Sequence, residues 1–196
     1  MSETETLLLG QVLDIHANPF ETPPEDAAGH ERHGGILLRA GVIAETGSAE
    51  SLRRTHPRAQ VIDHGDALIL PGFVDSHAHY PQTAIIASWG KRLIDWLNSY
   101  TFPEEMRFGD PDYAAEIANR YLDLLLAHGT TSVASFCTIH PTSVDAFFEA
   151  AEMRKMAVVA GRTCMDRNAP DGQRDDAQSA YDQSKALLER WHRRGR

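Results

Sequence analysis

Cysteine is scarce in this chain. Cys137 and Cys164 are the only two in 196 residues, and each stands far from any second thiol. That spacing excludes a disulfide framework and a CxxC metal knuckle, and it fits a reducing compartment. Long apolar runs are also missing. No stretch approaches 18 apolar residues, and the amino terminus, MSETETLLLG, lacks both a basic segment and an apolar signal core. The reading is therefore of a cytoplasmic protein with no membrane partner. An excess of positive charge is absent as well. A formal net charge of −9 gives no electrostatic basis for binding phosphate backbones, so nucleic acid is not an expected partner. What remains is ordinary for a globular chain: 42% hydrophobic and 24% charged residues, enough to build a core, with a charge balance suited to a small neutral ligand.

Two textures follow one another along the chain. Residues 1–70 alternate in a β pattern. ETLLLGQVLDIH reads as a strand, a Pro- and Gly-containing loop follows through Gly35, and ILLRAGVIAETG resumes the pattern. A short helix, AESLRRTH, stops before Pro57, and RAQVIDHGDALILPG returns to strand. From residue 71 the rhythm changes to β then α. FVDSHAH is a strand candidate, and an irregular stretch separates it from a helix capped by Asp110 with Pro111 at its first position. On that helix Tyr113, Ile117, Tyr121, Leu124, Leu125 and His128 share a face, and Gly129 supplies the stop. TTSVASFCTI, a helix opened by Pro141, MAVVAGRTCM and a helix from Asp175 and Asp176 complete three βα units. In the last helix Tyr181, Ser184, Leu188 and Trp191 recur at helical spacing. Such alternation predicts a parallel α/β sheet, either doubly wound or a barrel. A whole eight-unit barrel takes about 250 residues, so a barrel here would be partial.

Within PGFVDSHAHYPQ, His77 and His79 lie at i and i+2. In a strand that spacing puts both on one face with Cα atoms roughly 6.5 Å apart, close enough for two imidazoles to share one ion at about 2.0–2.1 Å from each nitrogen. The end of a barrel's first strand is also where such folds build active sites. An HxH triplet alone is common, so spacing leaves both a metal pair and two solvated histidines open.

The phrase LPGFVDSHAH resembles the strand-one signature of the amidohydrolase superfamily, metal-dependent hydrolases that join a small β-sandwich to a distorted (β/α)8 barrel. HAHYPQ, LIDWLNSYTFPEEMRF, HGTTSVASFCTIH and AGRTCMDRNAP are similar to the guanine deaminase branch of that superfamily. Two departures set other branches aside. Pro81 stands where dihydroorotase-like members carry arginine, and the HxE and PCxxC pattern of the other zinc deaminase fold is absent. The resemblance implies an α/β fold, with 1–70 as part of the β-sandwich and 71–196 as the first three βα units of a TIM-like barrel. It implies one zinc ion with His77 and His79 as ligands, Gln82 as a contact to a purine, and hydrolysis of guanine to xanthine and ammonia by a zinc-activated water. Homodimers are common in that branch.

The same resemblance requires two later histidines, a glutamate acid/base, an aspartate ligand and an Arg–Phe pair from strands beyond the third. Residue 196 precedes all of them, so these residues are expected to be an amino-terminal portion, holding no catalytic residue itself, weak in zinc and inactive alone. A noncatalytic fragment or association partner, and an amidohydrolase acting on C–N bonds of another heterocycle, are the alternatives. Asp75 reads either as support for the metal or as a solvated carboxylate. His128 is expected at a helix end, His140 in a loop, Trp89 and Trp96 in core or interface, both cysteines as inert packing in strands, and the HRRGR tail in solvent.

Overall fold

The computed structural model describes residues 5–90 and 92–194. The chain falls into two compact units, residues 1–71 and 72–196.

The first unit is a four-stranded mixed sheet. Strands β1 (Glu5–Ile15), β2 (Ala28–Arg39), β3 (Val42–Ser48) and β4 (Gln60–Ile69) lie in the order β3-β2-β1-β4, and a one-turn helix, α1 (Pro24–Ala27), precedes β2. Strand β2 begins at Ala28, so the loop expected through Gly35 is shorter than the sequence indicated. Antiparallel pairing with β1, from Ile15↔Ala28 to Glu5↔Arg39, draws GHERHGG into the ladder despite its glycines. The stretch ILLRAGVIAETG splits in two at Ala40 and Gly41, whose φ angles of 51° and 78° form the tight turn between β2 and β3. Helix α2 (Ala49–Thr55) starts where the Ser48 hydroxyl accepts the Ser51 N–H. Its Leu52 is buried with Leu7, Leu9 and Leu37, the core of the unit. Gly10 is required by close approach: a Cβ there would lie 2.8 Å from the Ala67 carbonyl oxygen of β4.

The second unit carries three parallel strands in the order β5-β6-β7, each followed by helix: β5 (Phe73–His79), β6 (Thr130–Phe136) and β7 (Ala157–Gly161). Between β5 and β6 the segment expected to be irregular is helical. A 3-10 turn (Tyr80–Ile85), α3 (Leu93–Trp96), a π turn (Leu97–Thr101), α4 (Phe102–Met106) and a 3-10 turn (Arg107–Gly109) follow one another. Each is too short to show a helical period, which is why the sequence hid them. Helix α5 (Pro111–Ala127) is capped by Asp110, whose carboxylate accepts from the Asp112 and Tyr113 N–H groups. Helix α6 (Pro141–Arg154) ends at Lys155 in the left-handed region, and α7 (Ala177–Trp191) begins with a capping box between Asp176 and Ser179.

The buried faces differ from the expected ones by part of a turn. On α5 they are Ala114, Ile117, Ala118 and Leu122, while Leu124 and His128 are exposed. The alanines let α5 pack closely on α6, which shifts the apolar seam. On α7 the buried residues are Ala180, Leu187 and Trp191, and Tyr181 and Leu188 face solvent. Tyr80, Phe108, Phe147 and Leu122 are fully enclosed at the centre of the unit. Tyr80 stacks on Phe147 at 4.9 Å, meets Phe108 edge-on at 5.4 Å, and donates its hydroxyl to the Ser143 carbonyl at 2.6 Å. Across the sheet the pattern is different. Phe73, Val74, Phe136 and Val159 are exposed, and both parallel and helix-covered sheets normally bury such residues. Among the described residues no helix is long and apolar enough to cross a membrane.

Candidate functional site

The site is built at the carboxyl end of β5. Strand geometry fixes the outcome: residues two apart share a face, so His77 and His79 project together, with ring centroids 5.3 Å apart. Parallel pairing sets His79 opposite Phe136 of β6, and their rings stack at 5.0 Å. The Phe136 ring also meets His77 edge-on at 5.6 Å. An apolar wall thus holds both imidazoles in place. His79 is half-buried, and burial, followed by the nearby His77, lowers its pKa from the ordinary histidine value. A neutral imidazole is the form that ligates a metal.

The strand ends where Tyr80 turns into the core. Its N–H donates to the Ser135 hydroxyl at 3.0 Å, which ties the strand end to β6. Pro81 then opens the 3-10 turn that carries Gln82. His77, His79 and Gln82 line one hollow of 420 Å³, with Thr83, Trp96 and Tyr121 among its other walls. That volume falls in the range of small-molecule pockets. Burial, then the charge of Asp75, pushes the Tyr121 hydroxyl up to about 12, so it stays protonated.

The two histidines fit as a pair of nitrogen donors on one face. They are not a whole site, because the described residues contain no group of three His, Cys, Asp or Glu able to hold a metal ion. A zinc site takes three or four protein ligands.

The remaining sequence candidates separate clearly. Asp75 accepts the His77 N–H at 3.1 Å and so braces the strand end. Trp96 lines the hollow and donates its indole N–H to the Ser88 carbonyl at 3.1 Å, whereas Trp89 is exposed. His128 bonds the Leu124 carbonyl at 2.8 Å, at the end of α5. His140 sits beside Gly109 rather than in the hollow. Cys137 is buried, and burial pushes its thiol pKa up. Cys164 is exposed and lies outside the sheet, which corrects its placement in an apolar strand. The physical reason is Arg162, which leaves β7 after Gly161 to donate to the Ile139 carbonyl and to Asp175. Of the HRRGR tail, His192, Arg193 and Arg194 are exposed, and the last two residues lie outside the described ones.

One acidic residue escaped sequence reasoning. Glu105 of α4 is buried, and its carboxylate accepts from the Gln82 side-chain amide at 3.3 Å and from Gln173 at 3.4 Å. Burial raises its pKa from the usual carboxylate value. No spacing links positions 82, 105 and 173, so only the fold brings them together.

Comparison with known proteins identifies the family. Residues 68–195 match the model of the amidohydrolase family, and residues 34–59 match an imidazolonepropionase-like composite domain of bacteria. Guanine deaminase of Escherichia coli K12 is 45% identical over all of this chain and 46% of its own length. The crystal structure of guanine deaminase from Bradyrhizobium japonicum superposes with a TM-score of 0.89 at 35% identity, covering 98% of this chain and 42% of that one. Guanine deaminase from C. acetobutylicum, solved with guanine in its active site, gives 0.82 at 27% identity over 98% and 44%. The chain therefore spans less than half the length of these relatives. The family match, running through the strand that bears the two histidines and on through all three βα units, assigns the chain to the amidohydrolase family.

Proposed function

We propose that this chain contributes to a zinc-dependent guanine deaminase, a cytoplasmic hydrolase that converts guanine to xanthine and ammonia. The observation that carries the reading is the shared hollow, in which two imidazoles on one sheet face and a carboxamide three residues further on meet at a strand end. The similarity to guanine deaminases along the whole chain supports it.

In this reading His77 and His79 are two of the zinc ligands, and Gln82 binds the purine edge, where an amide offers both a donor and an acceptor. Zinc, when bound, supplies an acidified water for attack on the carbon bearing the amine. The stacked Phe136 keeps His79 in its ligating orientation and keeps bulk water from that side of the ring. Asp75 holds the strand end through the His77 N–H. Residues 1–70 serve as part of the family's small β domain and 71–196 as the opening of its barrel, and the complete protein is a homodimer. The remaining ligands, the acid/base glutamate and the aspartate belong to later strands of the fold.

Ammonia release tests this reading on the complete product of the reading frame that encodes these residues. The assay compares guanine with adenine, cytosine and an aminotriazine. Release from guanine alone is expected, and preference for a different heterocycle would redirect the assignment to another amidohydrolase activity.

A second reading applies to the 196 residues by themselves. Val74 and Val159 are 72% and 73% exposed on the sheet, and β7 has a free edge among the described residues. An uncovered apolar sheet with an open edge favours association over catalysis.

A further inference from the structure

We propose that Glu105 is a positioning residue for Gln82: its carboxylate takes the Gln82 amide N–H and so turns the Gln82 carbonyl oxygen toward the hollow shared with His77 and His79. The inference rests on the guanine reading for its kinetic test and on geometry alone for its structure.

An amide has two ends of nearly equal size and opposite hydrogen-bonding sense. A glutamine that meets a base edge therefore discriminates only if something decides which end faces the ligand. Glu105 makes that decision because an ionised carboxylate accepts and never donates. Both of its oxygens are engaged by amides, Oε1 by Gln82 at 3.3 Å and Oε2 by Gln173 at 3.4 Å. Each glutamine must then present its NH2 to Glu105 and direct its oxygen elsewhere. For Gln82 elsewhere is the hollow it lines, which Glu105 does not. The group presented there is an acceptor, so the ligand face it reads must carry an N–H, as the guanine edge does.

The surroundings keep the carboxylate in place. Glu105 lies on α4, in the segment that follows β5, whereas Gln173 is fully buried in the 3-10 turn Asp171–Gln173 that follows β7. That turn sits tightly on α4: a Cβ at Gly172 would approach the Met106 sulfur to 2.8 Å. Two segments from different strand ends thus converge on one carboxylate, and the purine contact is set by residues on neither side of it in sequence. The Gln173 oxygen is itself buried and has no partner among the described residues, so Gln173 gains nothing from this arrangement beyond its bond to Glu105. A site that needed only packing would place an apolar side chain here, since burying a carboxylate between two amides is costly.

A double-mutant cycle in the complete product of the reading frame tests the proposal. Glu105→Leu is expected to raise KM for guanine about tenfold, the loss of one hydrogen bond to the ligand, with kcat changed much less. Gln82→Leu should do the same, and the double variant should be no worse than Gln82→Leu alone. Glu105→Gln, which keeps the volume and one acceptor oxygen, should fall between wild type and Glu105→Leu. Losses that multiply in the double variant, or an unchanged KM in Glu105→Leu, overturn the proposal. The 15N–1H resonances of the side-chain amides give an answer independent of turnover. Glu105→Gln should displace the Gln82 NH2 pair as well as that of Gln173, and a Gln82 pair that stays in place also overturns it. If wild type leaves guanine untouched, the guanine reading fails while the amide resonances still decide the role of Glu105.

Discussion

Asp175→Asn should be far more damaging than its small chemical change suggests. Arg162 leaves β7 with its side chain only 2% exposed, and the Asp175 side chain is 8% exposed. The guanidinium donates twice to the Ile139 carbonyl, at 2.9 and 2.6 Å, and its charge is neutralised by the Asp175 carboxylate. The other carboxylate oxygen accepts the Met165 N–H at 2.9 Å, and the Asp175 N–H returns a bond to the Met165 carbonyl. An asparagine at 175 keeps the shape but turns an NH2 toward one of those two donors and leaves a buried cation without a counterion. Removal of one partner from a buried pair costs about 3–5 kcal/mol. For a unit of this size that lowers the thermal midpoint by about 12–20 °C. Asp171→Asn is the internal control. It breaks the Arg174–Asp171 pair, whose aspartate side chain is 92% exposed, and should cost below about 1 kcal/mol. The assay is thermal unfolding of both variants and wild type, followed by circular dichroism. Equal losses in the two variants, or a loss under about 1 kcal/mol for Asp175→Asn, would refute the argument from burial.

Other outcomes follow from single contacts. Phe147→Ala empties the centre of the second unit, where Tyr80 stacks on that ring, and should cost about 3–5 kcal/mol in denaturant titration. Gly10→Ala drives a methyl group into the Ala67 carbonyl and should destabilise the first unit by about 1–3 kcal/mol, read as faster amide exchange in β1 and β4. Burial raises the Glu105 pKa in the fold, so holding it there as the ionised acceptor of both amides costs stability. That cost is absent below the ordinary carboxylate range and grows as pH rises through the raised value, so wild type should lose stability relative to Glu105→Gln across that window in pH-dependent unfolding. Expressed as these 196 residues alone, the chain should associate through its exposed sheet face, and a stable monomer with cooperative unfolding in size-exclusion and melting experiments would count against that view.

Local signals were legible where one residue type decides a local geometry. Asp110 followed by Pro111, and the pair Asp175 and Asp176, announced helix starts, and the capping hydrogen bonds of Asp110 and Asp176 bear them out. The β-to-α rhythm announced the parallel sheet, and the period of two put His77 and His79 on one face. What remained hidden depends on neighbours. The seam of α5 moved toward Ala114 and Ala118 because α6 packs there, and a helical period alone does not identify which partner a helix will meet. The strand start at Ala28 is a decision of β1, whose ladder outweighs the glycines in GHERHGG. Cys164 left the sheet because Arg162, two residues before it, found its partner in Asp175. In the site itself, the histidine pair and Gln82 stood within one short motif, whereas Glu105 acquired its role through two glutamines 23 and 68 residues away.

In the proposed function, the imidazoles at the end of β5 are zinc ligands of a guanine-hydrolysing site. Ammonia release from guanine by the zinc-loaded complete product, compared with its His79→Ala variant, tests it most directly. Turnover is expected in wild type, with its loss by at least about a hundredfold in the variant, the scale on which perturbing a metal's surroundings acts. A His79→Ala protein that deaminates guanine at the wild-type rate would contradict it.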